Sequence, residues 1–366
     1  MRTGVVLLAL LTTLGVGGIA DSAVTGGESA ARSRALLTYV ASTGGLCAVR
    51  ADGSRPQRLT PAWRRWIYGE HTWSPRGRYV AFAGVMADAD ESKIFVADAR
   101  GKVRRRFGGG ANNGTPLWSP DGRHIAYVAS WAHIYGLRVV DADGSDDHGV
   151  AMSPGFPSYG PANLTWSSDG QRLAFDDGHD IAAPPQGIFS VRLDGSDRQL
   201  LVGHAIEPDY SPDGTRLAFV ALESSQRRGV FVEDLAGGNR RTVSSSPGAA
   251  WPAWSPDGTR VAFIRGSDVV VAMADGSAEQ VVASGGASRV VWSAPLWSPD
   301  GMFVAFARAP RNVGGRRFTS SIVVARADGG GERVVVRRFA KAAVQPPAWR
   351  PAVSLPAAKR AGCSRR

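Results

Sequence analysis

Trp254-Ser-Pro-Asp-Gly258, followed after Thr259 and Arg260 by Val261-Ala-Phe263, is the stretch that decides the fold of this chain. Pro presets φ at one turn position, and Asp-Gly supplies a local hydrogen bond and a residue able to turn left-handed. The alternating apolar run behind it, with β-branched and aromatic residues, reads as a strand. The string is therefore the end of one strand and the hairpin turn into the next.

Working outward, the same string recurs as Trp73-Ser-Pro-Arg-Gly77, Trp118-Ser-Pro-Asp-Gly122, Trp166-Ser-Ser-Asp-Gly170, Tyr210-Ser-Pro-Asp-Gly214 and Trp297-Ser-Pro-Asp-Gly301, at spacings of 43 to 48 residues. A second series of strand-then-turn strings lies between these, among them Val49-Arg-Ala-Asp-Gly53, Val191-Arg-Leu-Asp-Gly195 and Val324-Ala-Arg-Ala-Asp-Gly329. Four short strands per repeat of this length describe one propeller blade.

The second series has seven members and the first has six complete copies. The missing strand is found near the C-terminus, where Pro347-Ala-Trp349-Arg-Pro351 keeps the frame without Asp-Gly. Joined to the N-terminal piece from Leu36, it completes a blade. The expected fold is all-β, a seven-bladed β-propeller over residues 34–351 closed by pairing of N- and C-terminal strands; six blades result if the N-terminal piece packs elsewhere. The repeated tryptophans are expected to wedge between blades, where each buries a large apolar area.

These units resemble the TolB-type, WD-like β-propeller repeat over roughly residues 34–351, with Arg76, Ser168 and Tyr210 as departures from its Trp-Ser-Pro-Asp-Gly signature. The resemblance implies a propeller and a general binding role, common among exported bacterial proteins. No separate N-terminal α/β domain such as TolB carries is evident, so only the propeller and that general role transfer.

Composition agrees. The chain has 366 residues, 43% hydrophobic, with 45 glycines and 22 prolines spread along its length, which suits a turn-rich packed fold and excludes a disordered one. The formal charge is +11, carried almost wholly by arginine. The basic runs Arg100–Arg106 and Arg333–Arg366 lack the interleaved aromatics of a nucleic-acid groove, so no nucleic-acid partner is expected. Residues 1–23 have a basic start, an apolar run and small residues after it, and read as a secretory signal peptide cleaved after Ala20 or Ala23. Retention as an anchor is the alternative; after cleavage no transmembrane span is expected. Residues 352–366 form a C-terminal tail. The expected location is exported, meaning periplasmic, wall-associated or secreted, and the expected state is a monomer.

In each blade both Asp-Gly hairpins share one face, whose uniformity suggests a structural role. The more variable loops open on the other face, where binding is expected. The binding-face candidates are Trp63, Arg64, Arg65, Trp66, Tyr68 and His71 in the richest loop, with Trp131, His133, Tyr135, His179 and His204 in others. Aromatic faces beside guanidinium groups suit sugars, peptides or anions. His71, His179, His204 and Glu207 are the candidates for a divalent metal, as imidazole and carboxylate ligands gathered from different blades. Catalytic residues are not evident: there is no G-x-S-x-G elbow, no H-E-x-x-H and no phosphate-binding Gly-Lys-Ser/Thr loop. No cofactor is expected.

Cys47 and Cys363, the chain's two cysteines, are candidates for a disulfide that locks the closing blade; a reduced Cys47 with a free tail is the alternative. The leading expectation is a non-catalytic scaffold that binds a protein or a cell-envelope polymer through its variable-loop face. The alternative is a metal-assisted polysaccharide lyase or hydrolase with its site at the propeller mouth.

Overall fold

A computed structural model of the chain describes residues 36–41, 45–60, 66–86, 91–131, 134–153, 162–177, 187–222, 228–286, 288–291, 293–310, 318–340 and 347–351. Among the described residues the elements are strands, arranged as seven antiparallel sheets, and the seven-bladed arrangement expected from the repeat is the one observed.

Blades 2 to 6 are consecutive four-strand units beginning at Trp66, Asn112, Ala162, Ala205 and Ala249. In blade 7 the first strand is split into Arg289–Val291 and Leu296–Trp297, both paired with Phe303–Pro310. Blade 1 is the seam. Its first strand is Ala348–Arg350 from the C-terminus, paired with Leu36–Val40 from the N-terminus in the register Leu37↔Trp349. Closure by both chain ends removes the open edge that a linear array would leave.

The hairpins form as their residues require. Gly122, Gly170, Gly214, Gly258 and Gly301 all adopt φ between 68° and 74°, the left-handed region open to glycine at little cost. In each, the Ser Oγ donates to the Asp carboxylate, as in Ser255 to Asp257 at 2.6 Å, and accepts the N–H of the next strand, here Arg260 at 2.9 Å. These hydrogen bonds, with the Thr259 N–H, hold the Asp257 carboxyl below the usual carboxylate range.

The core lies between blades. Trp73, Trp118, Trp166, Trp254, Trp297 and Trp349 are all buried, and Tyr210 takes the seventh wedge position. Most indole N–H groups donate to a neighbouring blade: Trp254 to the Asp209 carbonyl at 3.0 Å, Trp297 to Ala253 at 3.0 Å, Trp349 to Leu296 at 2.9 Å. Phe82, Phe175, Phe219, Phe263 and Phe306, from the Ala-Phe pairs of the second strands, are almost wholly buried, with Tyr127 in the matching place in blade 3.

A second repeated device was not evident from the sequence. Arg216 sits over the Trp254 ring at 4.5 Å and donates to the Gly258 carbonyl; Arg260 does the same to Trp297 at 4.8 Å and Gly301. At the seam Arg350 reproduces this latch from the last strand, 4.7 Å over Trp73 with Nε donating to the Gly77 carbonyl. Each cation–π contact of this kind contributes about 0.5–2 kcal/mol. Part of the arginine excess is therefore structural.

Candidate functional site

Two regions of the ring gather chemistry-bearing side chains: the first strands, which pack nearest one another around the ring, and the hairpin rim between blades 2 and 3.

The first strands of blades 2 to 6 share a β-bulge, seen as a register shift just before the wedge residue. In four of them the residue three before the wedge, Thr115, Asn163, Glu207 or Trp251, has φ between 47° and 57°. Such bulges re-aim side chains and free backbone N–H groups from the ladder. Carboxylates take up those N–H groups. Asp176 Oδ2 accepts from the Glu207 N–H at 2.8 Å and from Asn163 Nδ2 at 2.7 Å. Glu207 in turn accepts from the Trp251 N–H, and Asp209 Oδ2 from the Trp254 N–H at 2.8 Å. Thr165 Oγ1 donates to the other Asp209 oxygen at 3.2 Å. Blades 4, 5 and 6 are thus sewn together by acids on amides.

Burial pushes the Glu207 carboxyl up to about 7, with the nearby Asp176 carboxylate adding to it against the Trp251 N–H. Asp209 is likewise raised to about 7 by burial, which outweighs its two donors. An acid raised in the folded state binds its proton more tightly there than in the unfolded chain. Its contribution to stability therefore falls as pH rises from about 4 to 7, at up to about 1.4 kcal/mol per pH unit per group. His71 acts the other way, since burial lowers it to about 4 and its contribution is lost as pH falls from 6.5 to 4. Two acids outweigh one histidine. Urea midpoints between pH 5 and 8 are expected to fall with rising pH, and Asp209→Asn to flatten that dependence; an unchanged slope in the variant would contradict the assignment.

The structure relocates several of the candidates from the sequence. Trp66, Tyr68 and His71, expected in a loop, lie in the strand Trp66–Trp73, because the bulge interrupts the alternation that would have marked it. His71 is buried at the seam with Nε2 2.9 Å from Thr38 Oγ1. Thr38 Oγ1 donates to the Ala348 carbonyl at 2.9 Å and accepts from Trp73 Nε1 at 3.0 Å, so its bond with His71 is one in which the imidazole Nε2–H donates. His71 Nδ1 has no partner, and a second proton there would be buried without an acceptor. This is the physical reason the ring stays neutral.

Trp131 and Tyr135 lie in the hairpin strands His124–Trp131 and Ile134–Asp141. The Trp131 indole donates to the Gly109 carbonyl at 2.6 Å, and Arg138 sits 5.7 Å from its ring. His204 is exposed, with φ of 52°, at the junction of blades 4 and 5. Trp63, Arg64, Arg65, His133 and His179 lie outside the described residues. Of the metal candidates, His71 is enclosed at the seam and Glu207 is bonded to a backbone amide, and among the described residues no group of three His, Cys, Asp or Glu is placed to hold a metal ion. Asp176 and Asp209, which are not among the sequence candidates, are strand residues holding blades together. Their repeat position, level with the bulges, is the signal that could have found them.

Cys47 is fully buried in Leu46–Arg50 and is disulfide-bonded; Cys363 lies outside the described residues. Among the described residues no helix is long and apolar enough to cross a membrane.

Residues 187–308 match the family model of the TolB beta propeller domain. A stretch of 43 residues is 49% identical to the Tol-Pal system protein TolB of Methylococcus capsulatus, spanning 12% of this chain and 10% of that protein's length. TolB from Acinetobacter baumannii superposes with a TM-score of 0.53 at 18% identity, covering 84% of this chain and 78% of the other. An oligogalacturonate lyase in complex with manganese gives 0.57 at 19% identity, covering 82% and 84%. A puromycin hydrolase gives 0.57 at 16%, covering 83% and 52%. At such identities the likeness is one of fold, and fold alone does not imply function.

Proposed function

We propose that this chain, a propeller of TolB-type repeats, is an exported, non-catalytic scaffold that binds a protein or a cell-envelope polymer. The observation that carries the reading is the use made of its ionisable inner residues. Asp176, Glu207, Asp209 and His71 are each bonded across blades to backbone amides or to a hydroxyl. The chemistry-bearing groups near the ring axis hold the ring, which leaves recognition to its rims. The TolB-like fold supports a binding role of this kind.

Crosslinking in the native envelope, followed by isolation of the tagged chain, is expected to recover a specific partner. Recovery of none, with turnover of a small substrate instead, would sink the proposal. The export arm has its own readout: the mature protein is expected to begin at Asp21 or Val24, the residues after the two small-residue cleavage points.

One observation favours a second reading. Glu207 and Asp209 keep partial solvent access and titrate near neutrality, as a general acid would. The fold likeness to an oligogalacturonate lyase points in the same direction. This reading predicts cleavage of an anionic glycan that Glu207→Gln abolishes, and elemental analysis of the purified protein bears on its metal-assisted form.

A further inference from the structure

The joint between blades 2 and 3 departs from the repeat in three ways at once. First, the turn aspartate is replaced by Arg76. In blades 3 to 7 that position is an aspartate accepting from the turn serine, as Asp121 does from Ser119 at 2.6 Å. Second, the position that holds the latch arginines Arg216 and Arg260 in blades 5 and 6, and His124, Arg172 and Phe303 in blades 3, 4 and 7, is Tyr79, which is 41% exposed. The latch is therefore missing, and no described side chain reaches across to the Gly122 carbonyl. Third, the Trp118 indole N–H, buried like its counterparts, has no acceptor.

A cavity of about 550 Å³ opens at this joint, lined by Arg76, Arg78, Tyr79, Arg105 and Trp118 among others. It lies on the hairpin rim, which sequence reading took to be structural. Its lining carries four arginines against three carboxylates, Asp98, Asp121 and Asp143, and so keeps a net positive charge. Arg104 is paired with Asp98 through two hydrogen bonds of 2.9 and 2.6 Å. Arg76 and Arg78 are exposed and meet no carboxylate among the described residues, and Arg105 donates only to the carbonyls of Asp143 and Arg104. Asp121 and Asp143, also in the lining, are anionic acceptors of their own turn serines, and the Arg105 charge helps to hold the Asp143 carboxyl below the usual carboxylate range.

We infer that this cleft is a binding site for an oxyanionic ligand: one or two carboxylate- or phosphate-bearing units of an anionic polymer. Arg76, Arg78 and Arg105 hold the anionic groups and Tyr79 offers a flat face for a ring or chain carbon. Planar guanidinium forks suit carboxylate and phosphate alike, and the volume falls in the range of small-ligand sites. The basic strand Val103–Phe107, bordering the cleft, extends the same charge outward for further units. The inference rests on the scaffold reading and supplies a site and ligand class for its polymer arm.

The test is calorimetric titration of the full chain with three probes: a uronate oligomer, a glycerol-phosphate oligomer and a hexa-aspartate peptide. One of the two polymer fragments is expected to bind at a single site, with affinity that falls as salt rises. Arg76→Asp is the decisive variant. It restores the turn signature of the other blades, so the fold is expected to keep or raise its melting temperature while binding weakens by about tenfold or more. Arg289→Asp, an exposed arginine of blade 7, controls for net charge and is expected to leave binding unchanged. Binding of neither fragment, or equal affinity in Arg76→Asp, overturns the site. Tighter binding of the peptide than of either fragment overturns the ligand class. Loss of the anion in Arg76→Asp with the melting temperature kept supports the cleft. Failure of the fragments with capture of the envelope partner intact rejects the cleft alone, and failure of both rejects the scaffold reading as well.

Discussion

Replacing Trp349 with alanine is expected to lower the unfolding free energy by about 3–5 kcal/mol, the range for deleting a buried large aromatic side chain. Against a typical stability of about 5–15 kcal/mol this is a large fraction. Trp349 is 9% exposed, packs with Leu37, Val49 and Ala305, and donates to the Leu296 carbonyl of blade 7. It also lies within a strand of only three residues that joins the two chain ends. The neighbouring residues add to the seam: Thr38 bonds the Ala348 carbonyl and Arg350 latches Trp73. Trp349→Ala is therefore expected to free the N-terminal strands for proteolysis as well as lower the urea midpoint. Trp254→Ala, a wedge between two continuous blades, is expected to lower the midpoint without exposing the chain ends. Equal proteolysis of the two variants would refute the special role of the seam.

The second large effect concerns Cys47. We propose that its disulfide partner is Cys363, the chain's other cysteine, so that the bond encloses nearly the whole ring. In the chain-entropy account a loop of this length gives a stabilisation at or just above the upper end of the usual range, about 5–6 kcal/mol. Cys363→Ser leaves the buried Cys47 side chain in place and removes only the link. The expected result is a midpoint lowered as far as full reduction lowers that of the parent, and no further loss when the variant itself is reduced. Peptide mapping without reductant is the direct check: a Cys47–Cys363 peptide pair is expected, and two free thiols per denatured chain would refute the bond.

Much of the fold was legible because it depends on local chemistry. A Ser-Pro-Asp-Gly turn closes through bonds within six consecutive residues, so each copy identified itself. Counting copies located the seam, since a wedge tryptophan without Asp-Gly needs a strand to pair with and the N-terminal piece lacked one. The site was legible only in part. His71 looked like a loop residue because a bulge breaks the alternation of its strand. The role of Asp176 and Asp209 was not legible because their partners, backbone amides of the next blade, are about 30 to 45 residues away in sequence. The hairpin rim looked uniform, yet the cavity is there, at the one joint where Arg76 and Tyr79 replace the aspartate and latch residues together.

The repeat and the wedge positions were fixed by sequence alone, which also led to seven blades closed by both chain ends but left six open until the pairing of Leu37 with Trp349 was seen. All of these follow from turn chemistry and apolar periodicity, which act over a few residues. Tertiary structure alone decided which polar groups are consumed in holding the ring and which remain unpaired. That distinction rests on contacts between blades, where a carboxylate facing a free amide becomes a structural tie and an arginine facing none keeps its charge for a ligand.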